Sequence, residues 1–279
     1  MNVWSRSWAL TRASFAVIGA DKEMLWFPLL AGFFSIVFSI AMIVPTFVVE
    51  LLPPDLAQPL RIVAIFASYF GLAFFATFFN TCVVYTTKVR LSGGDATFFE
   101  SIKFALTRLH LILGWSLVSA SVGLLLHFLD QLAERSGIVG KILLSILRAI
   151  LASAWSILTV FVIPAMVYRG LGPIDAIRDS AQTLRQTWGE SLIRYYGMGL
   201  AAFVCTLPFI ALFFLAGWIG VAQIAIPLVV IGVVGFLTVS LLFSLASTVF
   251  NTALYHFATT GMPQGFDEAL LRGVFQPRD

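Results

Sequence analysis

From Tyr195 to Phe266 the chain carries no Asp, Glu, Lys or Arg. One helix of that length would rise more than about 100 Å at about 1.5 Å per residue, against a bilayer hydrocarbon core of about 30 Å. The segment must cross a membrane, turn and cross back. Charge is scarce elsewhere too: 11% of residues are charged, where a soluble domain carries about 25%. That scarcity excludes a water-soluble fold. There are only two cysteines, Cys82 and Cys205, both inside apolar runs, so no disulfide framework is expected and the two are read as small buried apolar residues. His110, His127 and His256 are scattered, with no carboxylate or thiol at ligand spacing; no metal and no other cofactor is expected. No Gly-x-Ser-x-Gly, His-Glu-x-x-His or phosphate loop is present. Ser116, Ser119 and Ser121 share a run with His127, but close helix packing explains such small residues better than intramembrane hydrolysis. The protein is not expected to be an enzyme. The first residues hold Arg6, Arg12, Asp21, Lys22 and Glu23 before a long apolar run, which is not the pattern of a cleavable signal.

What is present is apolar bulk: 279 residues, 59% hydrophobic, with a mean hydropathy of +0.96. Uncharged stretches measured against the ~20 residues a helix needs give six spans. The first four are Leu25–Leu52, Ile62–Thr87, Leu111–Leu129 and Ala149–Tyr168, the fourth with an interfacial start from Lys141. The fifth and sixth share the charge-free region, divided at Gly217–Gly220 and restarted near Pro227. The expected fold is an all-α integral membrane protein, one membrane domain over residues 1–279. Thirteen of the seventeen basic residues fall on one side of these spans, leaving Arg61, Arg135, Lys141 and Arg148 on the other. Positive residues favour the cytoplasm, so both termini are expected there. The net charge of +3 is then an orientation signal, and no nucleic-acid partner is expected.

The connections on that side have helical patterning. Residues 98–110 place Phe98, Ile102, Leu106 and Leu109 on one face, and residues 173–190 place Ile174, Ile177, Ala181, Leu184 and Trp188 on another. Both are expected to be interfacial amphipathic helices, in the headgroup plane or against the bundle's end. Thr97 and Glu100 have capping-box spacing, and Pro173 suits a first helical position. The N-terminal segment repeats the idea with Trp4, Trp8, Phe15 and Ile18.

These pieces repeat in sequence. Ser5–Arg12 matches Ser101–Arg108 at five of eight positions, and Asp179–Gln186 is a looser third copy. Thr77-Phe78-Phe79-Asn80-Thr81 precedes Tyr85, and Thr248-Val249-Phe250-Asn251-Thr252 precedes Tyr255. The fourth span has Thr159-Val160-Phe161 before Tyr168, with Pro164 and no Asn. This suggests a threefold parallel repeat over about 1–92, 93–170 and 171–260, closed by a partial amphipathic helix at 264–275.

The opening Ser7-Trp8-Ala9-Leu10 and the run Asp21-Lys22-Glu23-Met24-Leu25-Trp26-Phe27-Pro28-Leu29-Leu30 resemble an uncharacterised prokaryotic membrane family, domain of unknown function 6159. The resemblance is strongest over roughly the first 90 residues. The Asp175–Ser180 helix ending at Trp188 is similar to a pattern in the membrane domain of some glycerophosphodiester phosphodiesterases. The soluble barrel of those enzymes is absent, so no catalytic residue carries over. The resemblance implies a prokaryotic cytoplasmic membrane and assigns no activity.

Asn80 and Asn251, with Thr81 and Thr252, are the sharpest polar features within the spans. Such amides bond neighbouring helices or line a cavity for a solute or lipid headgroup. Tyr85, Tyr168 and Tyr255 fall where an aromatic belt is expected. Arg108, Arg178, Arg185 and Arg194 are candidate lipid-headgroup contacts, and Arg148 is expected to snorkel outward. The expected function is a non-catalytic scaffold, accessory subunit or lipid-contacting component. Its partners would be membrane lipids, with a membrane-protein partner or a second copy. The rival is a carrier or pore, with Asn80 and Asn251 on its path and Pro45, Pro164 and Pro208 kinking helices around a cavity.

Overall fold

A computed structural model of the chain describes residues 3–188, 197–219 and 221–261. The 264–275 segment and Arg194 lie outside the described residues, as do the side chains of Trp4 and Trp8. The described residues are 91% helical. Its elements are α1 (Val3–Ala20), a 3-10 turn at Lys22–Leu25, α2 (Trp26–Glu50), α3 (Pro54–Leu91), α4 (Phe98–Thr107), α5 (Leu109–Arg135), α6 (Ile138–Leu158), α7 (Val162–Arg169), α8 (Pro173–Trp188), α9 (Gly197–Ile219) and α10 (Ala222–Thr259).

Among the described residues, six stretches are long and apolar enough to cross a membrane: Lys22–Glu50, Pro54–Leu91, Leu109–Arg135, Ile138–Arg169, Ala201–Ile219 and Ala222–Thr259. Two details differ from the sequence expectation. The fourth span is two helices, because Pro164 cannot donate to the carbonyl four residues back and the chain turns at 159–161. The sixth starts at Ala222 rather than near Pro227, which lies inside α10. Helices α3 and α10 each have 38 residues, about 57 Å at 1.5 Å per residue, so each outruns a core of about 30 Å.

The chain forms two compact units. One comprises 26–86 and 96–185. Here α2 and α3 form a hairpin in which the Phe38 ring lies on Gly71, where a Cβ would come within 2.1 Å of it. Phe34 stacks on Phe75 and Phe79, with centroids 5.6 and 5.9 Å apart. Gly123 of α5 admits the Tyr69 ring in the same way. Trp115 and Trp155 stack between α5 and α6 at 5.7 Å, and Arg148 pairs with Asp130 at 2.8 Å. Arg148 is therefore an interhelical partner of Asp130.

Helices α4 and α8 belong to this unit up to Arg185. The capping box at α4 is formed in both directions: Thr97 accepts from the Glu100 amide, and the Glu100 carboxylate accepts from the Thr97 amide. Helix α8 begins at Pro173. The residues that α4 buries are Ser101 and Ala105, and those of α8 include Ala176 and Ser180. Ser101 shares a 2.6 Å hydrogen bond with Thr86 of α3, and Phe98 stacks on Phe27 at 5.0 Å. Ser180 accepts from the Phe161 amide that the α6–α7 break releases. Small residues face protein, while the bulky Leu106 and Ile174 are exposed.

The other unit comprises 1–25, 87–95 and 186–279. Helix α1 lies along α9 and α10, burying Ser14, Val17 and Ile18 and setting Phe15 edge-on to Phe243 at 5.6 Å. The α9–α10 hairpin repeats the ring-on-glycine device: a Cβ on Gly235 would come within 2.0 Å of Phe209. A second glycine, Gly232, faces the Phe209 carbonyl and the Phe213 ring at 3.2 Å. At the end of α1 the buried Asp21 meets Arg90 at 3.3 Å, and Arg90 reaches the exposed Asp95 at 2.5 Å. Burial pushes the Asp21 carboxyl up from its ordinary range, and the bond and charge of Arg90 pull against it.

Candidate functional site

The repeated Thr-x-Phe signature has a structural content. Phe79, Phe161 and Phe250, its third residue in each occurrence, are all buried. Thr81 donates to the Thr77 carbonyl at 2.8 Å and Thr252 to the Thr248 carbonyl at 2.7 Å. A threonine four residues after another can thus be buried with its hydroxyl satisfied inside its own helix. In the fourth span Ile163 occupies that position, and Thr159 donates to Trp155 instead. Asn80 and Asn251 are both half-buried. Asn80 and Thr81 lie in the unit built on α2–α8, Asn251 and Thr252 in the unit containing α9 and α10.

Two surface clefts lie against the spans. One, of about 480 Å³, runs between α2 and α3 past Phe38, Ser39, Thr46, Glu50 and Ser68. The other, of about 590 Å³, runs between α9 and α10 past Phe203, Thr206, Phe236, Ser240 and Ser244. The first flanks Pro45 and the second flanks Pro208. Neither wall includes Asn80 or Asn251. Pro45, Pro164 and Pro208 are in neither wall either, although wall residues neighbour Pro45 and Pro208 along their helices.

The candidate headgroup residues differ among themselves. Arg178 pairs with Asp175 at 3.2 Å on α8. Arg185 is exposed. Arg108, at the α4–α5 junction, lies over the Phe104 ring at 5.6 Å and against Gly170. Gly170 caps α7 with φ +67; the left-handed backbone and the Arg108 guanidinium, 2.8 Å from where a Cβ would sit, both require glycine there. Lys103 is exposed on α4 beside Phe99 and Leu106, which are 79% and 55% exposed. Sequence periodicity places Leu106 on the apolar face of α4 and leaves open whether that face meets lipid or protein; Leu106 is exposed, whereas Phe98 of the same face stacks on Phe27.

Two further expectations are corrected. Tyr255 is fully buried, so it is no belt residue; Tyr85 is half-buried and stacks on Phe104 at 4.1 Å. Cys205 is an exposed free thiol, whereas Cys82 is buried. Helix α9 has few buried residues, which leaves Cys205 on an outward face.

An all-helical chain with six membrane-length apolar stretches is a multi-pass membrane protein. It belongs to the family of unknown function DUF6159, whose model matches residues 60–266. The match starts after the Asp21–Leu30 run, so the shared signal lies further along the chain than the N-terminal resemblance suggests. No curated protein matches the chain.

Proposed function

We propose that this is a non-catalytic, lipid-contacting protein of a prokaryotic cytoplasmic membrane, serving as a scaffold or accessory subunit. The observation that carries the reading is the outward stripe of α4. Phe99 and Leu106 are exposed beside Lys103, while Ser101 and Ala105 face the protein. An exposed apolar stripe with a basic residue suits the boundary between headgroups and acyl chains, where rings and methyls enter the lipid and the cation meets phosphate. On α8 the exposed Ile174 and Arg185 repeat the composition. The excess of basic residues on this side supports cytoplasmic termini. The recurrence of the buried Thr-x-Phe signature supports descent from a triplicated unit. The carrier reading has less behind it, because neither amide is in the wall of the α2–α3 cleft or of the α9–α10 cleft.

The test is lipid selectivity. Purified protein should retain anionic over zwitterionic lipid, and Lys103→Glu with Arg185→Glu should lower that ratio by roughly tenfold or more, at about 1 kcal/mol per basic residue. An unchanged ratio in a well-folded double variant would remove the reading.

A further inference from the structure

The groove between α2 and α3 has a wall chemistry that selects an occupant. Ser39 donates its hydroxyl hydrogen to the Ser35 carbonyl at 2.7 Å, Ser68 to the Ala64 carbonyl at 2.8 Å, and Thr46 to the Met42 carbonyl. All three hydrogens are therefore committed within their own helices, and the hydroxyls offer the groove only lone pairs. The groove's one charged wall residue is Glu50, an acceptor. The remaining wall is apolar and includes Phe38, Phe47 and Leu72. A groove of about 480 Å³ that is apolar along its length, acceptor-only in its polar groups and acidic at one end fits an apolar chain ending in a hydrogen-bond donor of positive charge. It lies within spans that face the bilayer, so that molecule is a lipid. Arg61 supplies the complementary base: Phe38 lies on Gly71 and Phe34 on Phe75, a register that puts Arg61 about level with the last turn of α2. Both Arg61 and Glu50 are exposed, and no ion pair joins them among the described residues.

We propose that the α2–α3 groove binds a phospholipid with a primary-amine headgroup, its ammonium on Glu50, its phosphate toward Arg61 and an acyl chain along Phe38 and Leu72. The inference uses none of the residues of α4 or α8 and stands or falls apart from the reading above. Its discriminating feature is the N–H donor. A phosphatidylcholine carries the same charges and chains but no N–H, so an acceptor-only wall should reject it.

The experiment exchanges the full-length protein into an equimolar mixture of dioleoyl phosphatidylethanolamine and dioleoyl phosphatidylcholine and counts retained lipid by mass spectrometry. The native chain should favour the amine by about tenfold, the difference made by one charge-assisted hydrogen bond. Glu50→Gln, at an exposed position, should bring the ratio close to one. Ser39→Leu with Ser68→Leu should fill the groove and lower retention of the amine lipid, with thermal unfolding measured alongside to establish that the variant is folded. No preference in the native chain, or a preference that survives either variant in folded form, overturns the proposal.

Discussion

The α2–α3 and α9–α10 hairpins are closed by the same device and finished differently. In each, a phenylalanine of the first helix lies on a glycine of the second, Phe38 on Gly71 and Phe209 on Gly235. In each, a cleft flanks a helix-interior proline of the first helix. Beyond this they diverge. The α9–α10 pair has a second glycine against backbone and carries α1 along its side; its cleft is uncharged. The α2–α3 pair ends its groove at Glu50. Helix association in lipid draws on close packing rather than on a hydrophobic driving force. A shared packing device with different linings therefore separates what holds a hairpin together from what it presents to the bilayer.

The largest expected effect tests the clasp between the end of α1 and the end of α3. Arg90→Ala leaves the buried Asp21 without its guanidinium. Breaking a buried pair costs about 3–5 kcal/mol; with the Arg90 side chain 26% exposed, about 2–3 kcal/mol is the fitting expectation. Burial already holds the Asp21 carboxyl above its ordinary value. A raised folded-state value means that the protonated form is favoured by folding: its contribution is complete below the ordinary carboxylate range and fades as pH rises through the folded value. The Arg90→Ala loss should accordingly be larger at pH 8 than at pH 5, and adding Asp21→Asn should remove that dependence. Thermal unfolding across pH checks both; a loss independent of pH would show that Asp21 is not its cause.

Next come the glycine seats. Valine at Gly232 meets the Phe209 carbonyl, a backbone atom that cannot rotate aside, whereas valine at Gly71 meets only the far end of the Phe38 ring. Overpacking costs about 1–3 kcal/mol, with Gly232→Val toward the upper end and Gly71→Val toward the lower. Equal losses would mean that the backbone contact at Gly232 is no harder to relieve than the ring contact at Gly71, and no loss at Gly232 would mean that the second glycine of α10 adds nothing.

Much of this architecture is legible in the sequence because charge is so costly in hydrocarbon. The six spans follow from where Asp, Glu, Lys and Arg are missing, and the α4 capping box from Thr97 and Glu100 alone. What periodicity left open was whether the apolar faces of α4 and α8 meet lipid or protein. They divide: Leu106 and Ile174 are exposed, while Leu184 is buried, Phe98 stacks on the buried Phe27, and Ser101, Ala105, Ala176 and Ser180 make close contacts. The clefts were not legible. Pro45, Pro208, Asn80 and Asn251 are in neither wall; an amide within a span needs a partner, but that need does not reveal which way it faces. The acceptor-only character of the α2–α3 groove depends on where each hydroxyl hydrogen points, which only coordinates supply.

The smallest effect asks whether the hairpins are alike in their repeated signature. Thr81 and Thr252 are both buried, and each donates to the threonine carbonyl one turn back. That carbonyl also belongs to a helical ladder, so removing the hydroxyl strands no buried partner, and the loss should be only the net value of one neutral hydrogen bond, about 1 kcal/mol or less. Thr81→Val and Thr252→Val should therefore lower the unfolding temperature slightly and equally. A much larger loss at Thr252 would mean that its hydroxyl bonds something besides Thr248, and the two copies of the signature would no longer be structural equivalents.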